Sequence, residues 1–259
     1  MAHLEVHELG TGPAVLVLHG TPSPATDLLP LARALAERHR VLVPELPGYG
    51  GSPALAAYSL DAVNELLAHE LRRREIGRVA VVGFSGGAYR ALDLAVRGDL
   101  PVTAVVTIGG FATLPADARE GFHGLAGMLR AQPAAIHDPS LRTLMGQRML
   151  SPAYAASHPE QLAEAAAWLE LAPPQVLADE LAAFAASADL LPRLRVVSAP
   201  ILAIVGELDV AAPVARSEEI RAAAGNGSLE IIANAGHVLM WEAAERTTEL
   251  VTRALAVSG

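Results

Sequence analysis

The 259-residue sequence contains no cysteine, which excludes disulfide bonds, thiolate metal sites and a cysteine nucleophile. Lysine and arginine together number 19 against 28 aspartates and glutamates, so the net charge is −9 and nucleic acid is not expected as a partner. The one basic run, residues 72–74, lies between Glu70 and Glu75, and we interpret it as a solvated helix face. Composition thus leaves oxygen and nitrogen side chains to supply any chemistry.

A long apolar run is also missing. A long stretch without a charge or a histidine, residues 100–116, has 17 residues, and prolines and glycines interrupt it. That pattern is typical of a buried strand and its loops rather than of a membrane span. Residues 1–5 lack the basic and apolar regions of a secretory signal peptide. We therefore expect no membrane span and a cytoplasmic location.

The chain length suits one domain, or one domain with an insertion. Apolar strand-like runs alternate with segments that carry leucines at helical spacing. The predicted strands are residues 2–9, 14–19, 40–45, 78–84, 102–108, 200–206 and 229–233. The predicted helices are residues 28–38, 59–75, 86–97, 214–224 and 241–256. This alternation predicts an α/β fold with a mostly parallel, twisted sheet flanked by helices.

The alternation stops between residues 112 and 191. This stretch contains no plausible buried strand and offers alanine-rich helical segments that prolines interrupt. We therefore predict a helical cap at residues 112–191, inserted after the strand that ends near residue 109. Residues 1–111 and 192–259 would form the core.

One strand-to-helix turn carries the sequence Gly-Phe-Ser-Gly-Gly, residues 83–87. A serine on such a turn sits in a strained backbone conformation, so its neighbours must be small, and Gly83 and Gly87 meet that demand. The following helix directs its N-terminal N–H groups toward the serine oxygen. This context favours Ser85 as a catalytic nucleophile over a structural Gly-Ser turn.

A serine nucleophile needs a base, and histidine is the usual one. In an open α/β sheet the chemistry lies beyond the carboxyl ends of the strands. Of nine histidines, only His19 and His237 lie at or just past the carboxyl end of a predicted strand. We predict His237, just past the last strand, as the base, and His19 as a hydrogen-bonding brace for its own loop.

The histidine in turn needs a carboxylate that holds its tautomer. Asp209 follows the penultimate strand, and the order Ser, Asp, His along the chain is the one expected of an α/β-hydrolase. Glu207 lies on the same loop and remains the competing candidate.

Two N–H donors are needed for the oxyanion. Gly86 follows the nucleophile directly and supplies one. The second donor is predicted on the loop after the neighbouring strand, where Thr21 has an N–H and Pro22 has none. An ordinary Gly-Pro turn is the alternative for that loop.

Five motifs together resemble the landmarks of the cap-bearing branch of the α/β-hydrolase family. They are His-Gly-Thr-Pro, Leu-Pro-Gly-Tyr-Gly-Gly-Ser, Gly-Phe-Ser-Gly-Gly, Gly-Glu-Leu-Asp and Ala-Gly-His-Val. The resemblance implies the same roles for the triad and oxyanion residues as the reasoning above. Two positions depart from the pattern: Glu45 stands where many members have aspartate, and Gly86 where many have a bulkier residue such as methionine. Serine at position 85 is unlike the branches whose nucleophile is a carboxylate.

These residues predict a serine hydrolase of carboxylesterase type that works through an acyl-enzyme and needs no cofactor or metal. Carbon–carbon bond hydrolysis, perhydrolysis and acyl transfer reuse the same triad and remain alternatives. A ligand-binding receptor that retains the triad is a further one. The sequence does not indicate whether the protein is a monomer or an oligomer.

The cap sequence is rich in apolar side chains and has no lysine. It predicts a lid over a small, largely apolar and uncharged substrate. The residues expected to contact substrate are Phe84, Phe122, Met128, Met145, Trp168 and Val238.

Overall fold

The computed structural model describes residues 3–256. Within that part of the chain, seven strands form one sheet in the order β1-β3-β2-β4-β5-β6-β7. Their bounds are β1 Val6–Leu9, β2 Ala14–Leu18, β3 Arg40–Pro44, β4 Val79–Phe84, β5 Val102–Ile108, β6 Ile201–Gly206 and β7 Gly227–Ile232. β1 pairs antiparallel with β3 and the other pairings are parallel. The predicted mostly parallel sheet is confirmed.

Helices cover both faces of the sheet, which is why its central strands are apolar on both sides. β2 illustrates the alternation: Leu16 and Leu18 pack into one hydrophobic cluster, and Val15 and Val17 into the other. All six residues of β4 are buried. The strand that leads into Ser85 therefore lies at the centre of the core.

The bounds of the two edge strands were predicted less well. β1 begins at Val6 rather than at residue 2, which itself lies outside the described residues, and β7 begins two residues earlier than predicted. Each edge strand has a single neighbour, so its bounds follow its pairing with that neighbour more than a hydrophobic pattern.

The helices lie close to their predicted positions. Their bounds are α1 Leu29–Leu35, α2 Leu60–Arg73, α3 Gly86–Arg97, α4 Ala116–Ala131, α5 Pro139–Met149, α6 Pro152–Ser157, α7 Pro159–Ala167, α8 Pro174–Ala185, α9 Leu191–Leu194, α10 Val214–Ala223, α11 Leu239–Glu242 and α12 Ala244–Ala256. Residues 3–256 also contain three short 3-10 helices, at Ala25–Leu28, Pro133–His137 and Trp168–Glu170. No helix of the described residues combines the length and apolar character that crossing a membrane requires.

Two helix predictions were wrong in detail. The closing helix, predicted as residues 241–256, is divided into α11 and α12 because Ala243 leaves the helical region, with φ −146° and ψ 45°. The basic run at the end of α2 is not wholly solvated. The Arg74 side chain is 13% exposed and pairs with Glu70, which is itself almost fully buried. A carboxylate one turn earlier thus holds Arg74 against the surface.

The segment between β5 and β6 contains helices joined by short loops, and residues 112–191 contain no strand. Most of its prolines stand at the first position of a helix, where a missing N–H costs nothing. Those prolines are Pro133, Pro139, Pro152, Pro159 and Pro174. The Leu190 N–H donates to the Ala112 carbonyl at 3.0 Å, so the two ends of the insertion lie side by side.

The insertion also has a small hydrophobic cluster of its own, formed chiefly by α4 and α8. Its buried members are Ala126, Leu129, Ile136, Leu169, Leu177, Ala178 and Leu181. The segment thus has apolar contacts of its own, and it also contributes side chains to both hydrophobic clusters of the core.

Candidate active site

Ser85 stands between β4 and α3 in a conformation that non-glycine residues rarely adopt, with φ 52° and ψ −118°. Its N–H donates to the Ile108 carbonyl on the neighbouring strand at 2.9 Å. A side chain at Gly83 would collide with the backbone of Gly87, and one at Gly87 with the backbone of β2. Both glycines are therefore needed to bring strand and helix this close, which is the strained turn that the motif predicts.

His237 and Asp209 are hydrogen-bonded to each other. The imidazole Nδ1 lies 2.7 Å from the Asp209 Oδ2, and both side chains are buried. The other carboxylate oxygen accepts from the N–H groups of Ala211 and Ala212, at 2.9 and 2.8 Å. Three hydrogen bonds thus hold the carboxylate, which keeps the proton on Nδ1 and leaves Nε2 as the free base nitrogen.

Glu207, the competing carboxylate, does not face the histidine. It accepts from the N–H of Asn234, a residue that follows β7, at 3.0 Å and is exposed. The structure thus places Asp209, and not Glu207, against His237.

The His237 ring packs against the turn between β4 and α3 that carries Ser85. Its centroid lies 4.9 Å from that of Phe84, the residue before Ser85, and a side chain on Gly109 would touch its Nδ1. The N–H groups of His237 and Val238 both donate to the Met149 carbonyl at 3.1 Å. The end of α5 in the insertion therefore holds the histidine loop in place.

His19 acts as the brace that the sequence suggested. Its Nδ1 donates to the Gly20 carbonyl at 2.9 Å, and its Nε2 accepts from the Leu46 N–H at 2.9 Å. Burial lowers the pKa of His19 to about 4, so it is neutral at physiological pH and both nitrogens stay engaged. The role is structural, since neither nitrogen is free to move a proton.

Thr21 lies beside Gly86, as the predicted oxyanion pair requires. The Thr21 Oγ1 is 2.9 Å from the position that a Cβ on Gly86 would occupy. That hydroxyl is buried and has no hydrogen-bond partner among residues 3–256. The loop is fixed by Gly20, whose N–H donates to the Ser23 hydroxyl at 2.9 Å. An unsatisfied donor therefore stands next to the nucleophile.

The six residues predicted to contact substrate lie in different environments. Phe84 and Val238 are buried beside the candidate triad. Trp168 is buried in the same hydrophobic cluster, 5.3 Å from the Trp241 ring, and its indole N–H has no described partner. Phe122 and Met145 are half-buried among insertion side chains.

Met128 is 36% exposed on the outside of α4. It lines a surface depression with Gln132, His137, Leu141 and their neighbours, none of which is a candidate catalytic residue. That Met128 contacts substrate stays a prediction.

Sequence reasoning missed Phe184, whose ring lies against Gly86, and a buried polar group behind it that includes Arg90 and Glu180. The one available signal was the glycine at position 86, where the family resemblance leads one to expect a bulkier residue. A missing side chain next to the nucleophile leaves space that another part of the chain must fill.

Asp27 is a half-buried carboxylate on the 3-10 helix that follows the Thr21 loop. Its Oδ2 is buried without a hydrogen-bond partner in the described residues. Burial, together with the charge of Glu164 on α7, raises the pKa of Asp27 to about 7. Unfolded, the carboxyl titrates near pH 4. Between these values the folded state holds a proton that the unfolded state has lost, so Asp27 lowers stability as the pH rises through this range.

We therefore expect Asp27→Asn to stabilise the protein at pH 8 by about 1 to 3 kcal/mol, a discounted conversion because the group is partly exposed. At pH 4 the two proteins should be nearly equal. Urea unfolding at both pH values measures the difference, with Glu218→Gln, an exposed carboxylate on α10, as control. A difference between Asp27→Asn and wild type that does not change with pH would contradict the assignment.

Within residues 3–256 there is no group of three or more histidine, aspartate or glutamate side chains that could hold a metal ion.

Residues 15–250 match the alpha/beta hydrolase family, and the chain belongs to that family. A solved thermophilic esterase from Thermogutta terrifontis superposes with a TM-score of 0.89 at 24% identity, over 98% of this chain and 93% of that one, which shows the shared fold.

Two curated relatives differ in named activity. A 2-hydroxy-6-oxononadienedioate/2-hydroxy-6-oxononatrienedioate hydrolase of Cupriavidus pinatubonensis is 27% identical over 96% of this chain and 89% of its own length. A pimeloyl-[acyl-carrier protein] methyl ester esterase of Nitrosomonas europaea is 32% identical over 42% of this chain and 41% of its own length. The chain spans less than half the length of the first four curated relatives it matches.

Proposed function

We propose that the protein is a serine hydrolase that cleaves a carboxylic ester through an acyl-enzyme on Ser85. The observation that carries the proposal is the buried His237–Asp209 hydrogen bond packed against the strained Ser85 turn. Esterases among the relatives and structural neighbours support the same reaction class.

In the proposed mechanism His237 Nε2 takes the Ser85 hydroxyl proton as the oxygen attacks the ester carbonyl carbon. The negative charge moves to the carbonyl oxygen, which accepts from the Thr21 and Gly86 N–H groups. The protonated histidine, stabilised by Asp209, then gives its proton to the departing alcohol. Water, activated by the same nitrogen, attacks the acyl-enzyme, and the acid leaves as the Ser85 proton returns.

We further propose that residues 112–191 form a cap that closes over an uncharged substrate. The arginines of this segment are each engaged elsewhere. Arg119 donates to three backbone carbonyls, Arg130 pairs with Asp179, Arg142 pairs with Glu170, and Arg148 donates to the Val210 carbonyl. No cationic side chain of the cap is thus left over to balance an anionic substrate.

We expect neutral p-nitrophenyl esters to be hydrolysed with kcat/KM at least about tenfold above anionic esters of equal size, because burying an unpaired carboxylate is unfavourable. Initial rates on a matched pair, the butyrate and the hemisuccinate, measure this. Equal or faster hydrolysis of the anionic ester would mean that an arginine reaches the substrate and that the cap does not select as proposed. No hydrolysis of either ester would contradict esterase activity.

Carbon–carbon bond hydrolysis is the second candidate, since the Cupriavidus hydrolase matches this chain over nearly its full length. The same triad can serve both reactions. A vinylogous diketone assayed beside the esters separates them. Faster turnover of the diketone would favour this second reaction.

A further inference from the structure

Phe184, near the end of α8, occupies the space beside Gly86. The side chain is 1% exposed, and its Cζ and Cε2 lie 2.9 and 3.1 Å from the position that a Cβ on Gly86 would take. Real Cβ atoms do not come that close to ring carbons, so glycine is required at position 86 while the ring is there. A side chain from the insertion thus fills the space next to the residue that follows the candidate nucleophile.

The ring is held by aromatic neighbours. Its centroid lies 5.9 Å from that of Tyr89, 5.8 Å from that of Phe111 and 6.4 Å from that of Phe122, each in an edge-to-face arrangement. The Arg90 guanidinium carbon lies 4.8 Å from the Phe184 centroid, which is a cation–π contact.

The same arginine forms a fully buried ion pair with the helix that carries the ring. Arg90 Nη2 lies 2.7 Å from Glu180 Oε1, and both side chains are 0% exposed. Tyr49 and Tyr58 donate to the two Glu180 oxygens at 2.6 and 3.0 Å. Glu180 precedes Phe184 by four residues, so both side chains lie on one face of α8.

Arg90 lies on α3, the helix that begins at Gly86. The ion pair therefore connects the helix of the oxyanion donor to the helix of Phe184. A buried ion pair adds little stability relative to apolar packing, but it imposes a defined geometry on the groups it joins. Because Glu180 and Phe184 share one face of α8, the Arg90–Glu180 ion pair defines the position of the Phe184 ring.

We propose that Phe184 determines acyl specificity by closing the space beside Gly86 to branched acyl groups, and that Arg90 and Glu180 are positioning residues that hold its ring there. This inference rests on the proposed ester hydrolysis. The Gly86 N–H would hold the carbonyl oxygen at about 3 Å, so the first acyl carbons lie within a few ångströms of the ring. Branching at the carbon next to the carbonyl would therefore meet Phe184.

The first test compares p-nitrophenyl acetate, isobutyrate and pivalate. Phe184→Ala should increase the pivalate-to-acetate ratio of kcat/KM by about tenfold or more. Leu181→Ala removes a buried side chain from the same helix but from the insertion's own cluster, and it should leave the ratio unchanged. An equal change in both variants would mean that a loosened cap, rather than the lost ring, sets the ratio, and would contradict the inference.

The second test exchanges the two side chains. Gly86→Met should reduce hydrolysis of the acetate by about 100-fold or more, because the methionine and the ring cannot share the space. Gly86→Met combined with Phe184→Ala should recover to within about tenfold of Phe184→Ala. Failure of the double variant to recover would show that the Thr21 Oγ1, which is equally close to that position, excludes a side chain at position 86 even without the ring, and would contradict the exchange.

The third test concerns the ion pair. Glu180→Gln and the milder Tyr58→Phe should both increase the pivalate-to-acetate ratio in the wild-type background and leave it unchanged in Phe184→Ala. Tyr58→Phe alone decides the question if Glu180→Gln does not fold. An effect of the same size in both backgrounds would mean that these residues act independently of Phe184.

Labelling of Ser85 by methyl- and tert-butyl-substituted fluorophosphonates separates the possible failures, since it requires only a nucleophilic serine. If wild type and Phe184→Ala show the same preference for the methyl over the tert-butyl reagent, the inference is overturned and the proposed function is unaffected. Absence of labelling in wild type overturns both.

Discussion

Ser85→Ala should reduce kcat/KM for a neutral p-nitrophenyl ester by on the order of 10⁴-fold or more, because the covalent route is lost. The remaining rate would reflect binding and the oxyanion donors alone. Alanine leaves the backbone of the turn in place, since Gly83 and Gly87 provide its close contacts. The free energy of unfolding should therefore change little.

Steady-state rates and urea unfolding of the same preparation check both halves of this expectation. Ser157→Ala, which removes an exposed hydroxyl on α6, is the matched control and should keep full activity. Turnover retained by a folded Ser85→Ala protein would exclude this serine as the nucleophile.

His237→Ala and Asp209→Asn should each lower kcat by on the order of 10³-fold or more, and the double variant should be little worse than either alone. Without the imidazole nothing takes the Ser85 proton. Asparagine at position 209 still accepts the Ala211 and Ala212 N–H groups, but its amide turned toward His237 would favour the tautomer with the proton on Nε2.

Glu207→Gln is the control for the assignment of Asp209 as the carboxylate of the candidate triad. Its side chain accepts from the Asn234 N–H and lies away from the imidazole, so activity should fall by less than about threefold. A severe loss in Glu207→Gln beside a mild one in Asp209→Asn would reverse the assignment.

The candidate triad was predictable because each member follows a strand. Ser85 is marked by a glycine pattern with a local physical cause, and strand β4 is apolar throughout. Parallel strands bring their carboxyl ends to one edge, so Asp209 and His237 could be expected to meet although 28 residues separate them. The hydrogen bond between Asp209 and His237 could thus be predicted from their order along the chain and their positions after strands.

The surroundings of the site were not predictable in the same way. Arg90 and Glu180 are 90 residues apart, and no local pattern relates them. Phe184 was one of several apolar residues in the insertion, and which of these turns inward depends on how the helices pack. The composition of the insertion also does not indicate that the Met128 side chain is 36% exposed. The break at Ala243 depends on backbone angles that no glycine or proline marks.

Covalent labelling tests most directly whether Ser85 is an activated nucleophile. Wild-type protein treated with a small fluorophosphonate should gain one phosphonyl group, located by peptide mapping on Ser85, while the other eleven of its twelve serines stay unmodified. His237→Ala should label far more slowly, because the base is gone. An adduct on another serine, or none on wild type that unfolds cooperatively in urea, would contradict the account.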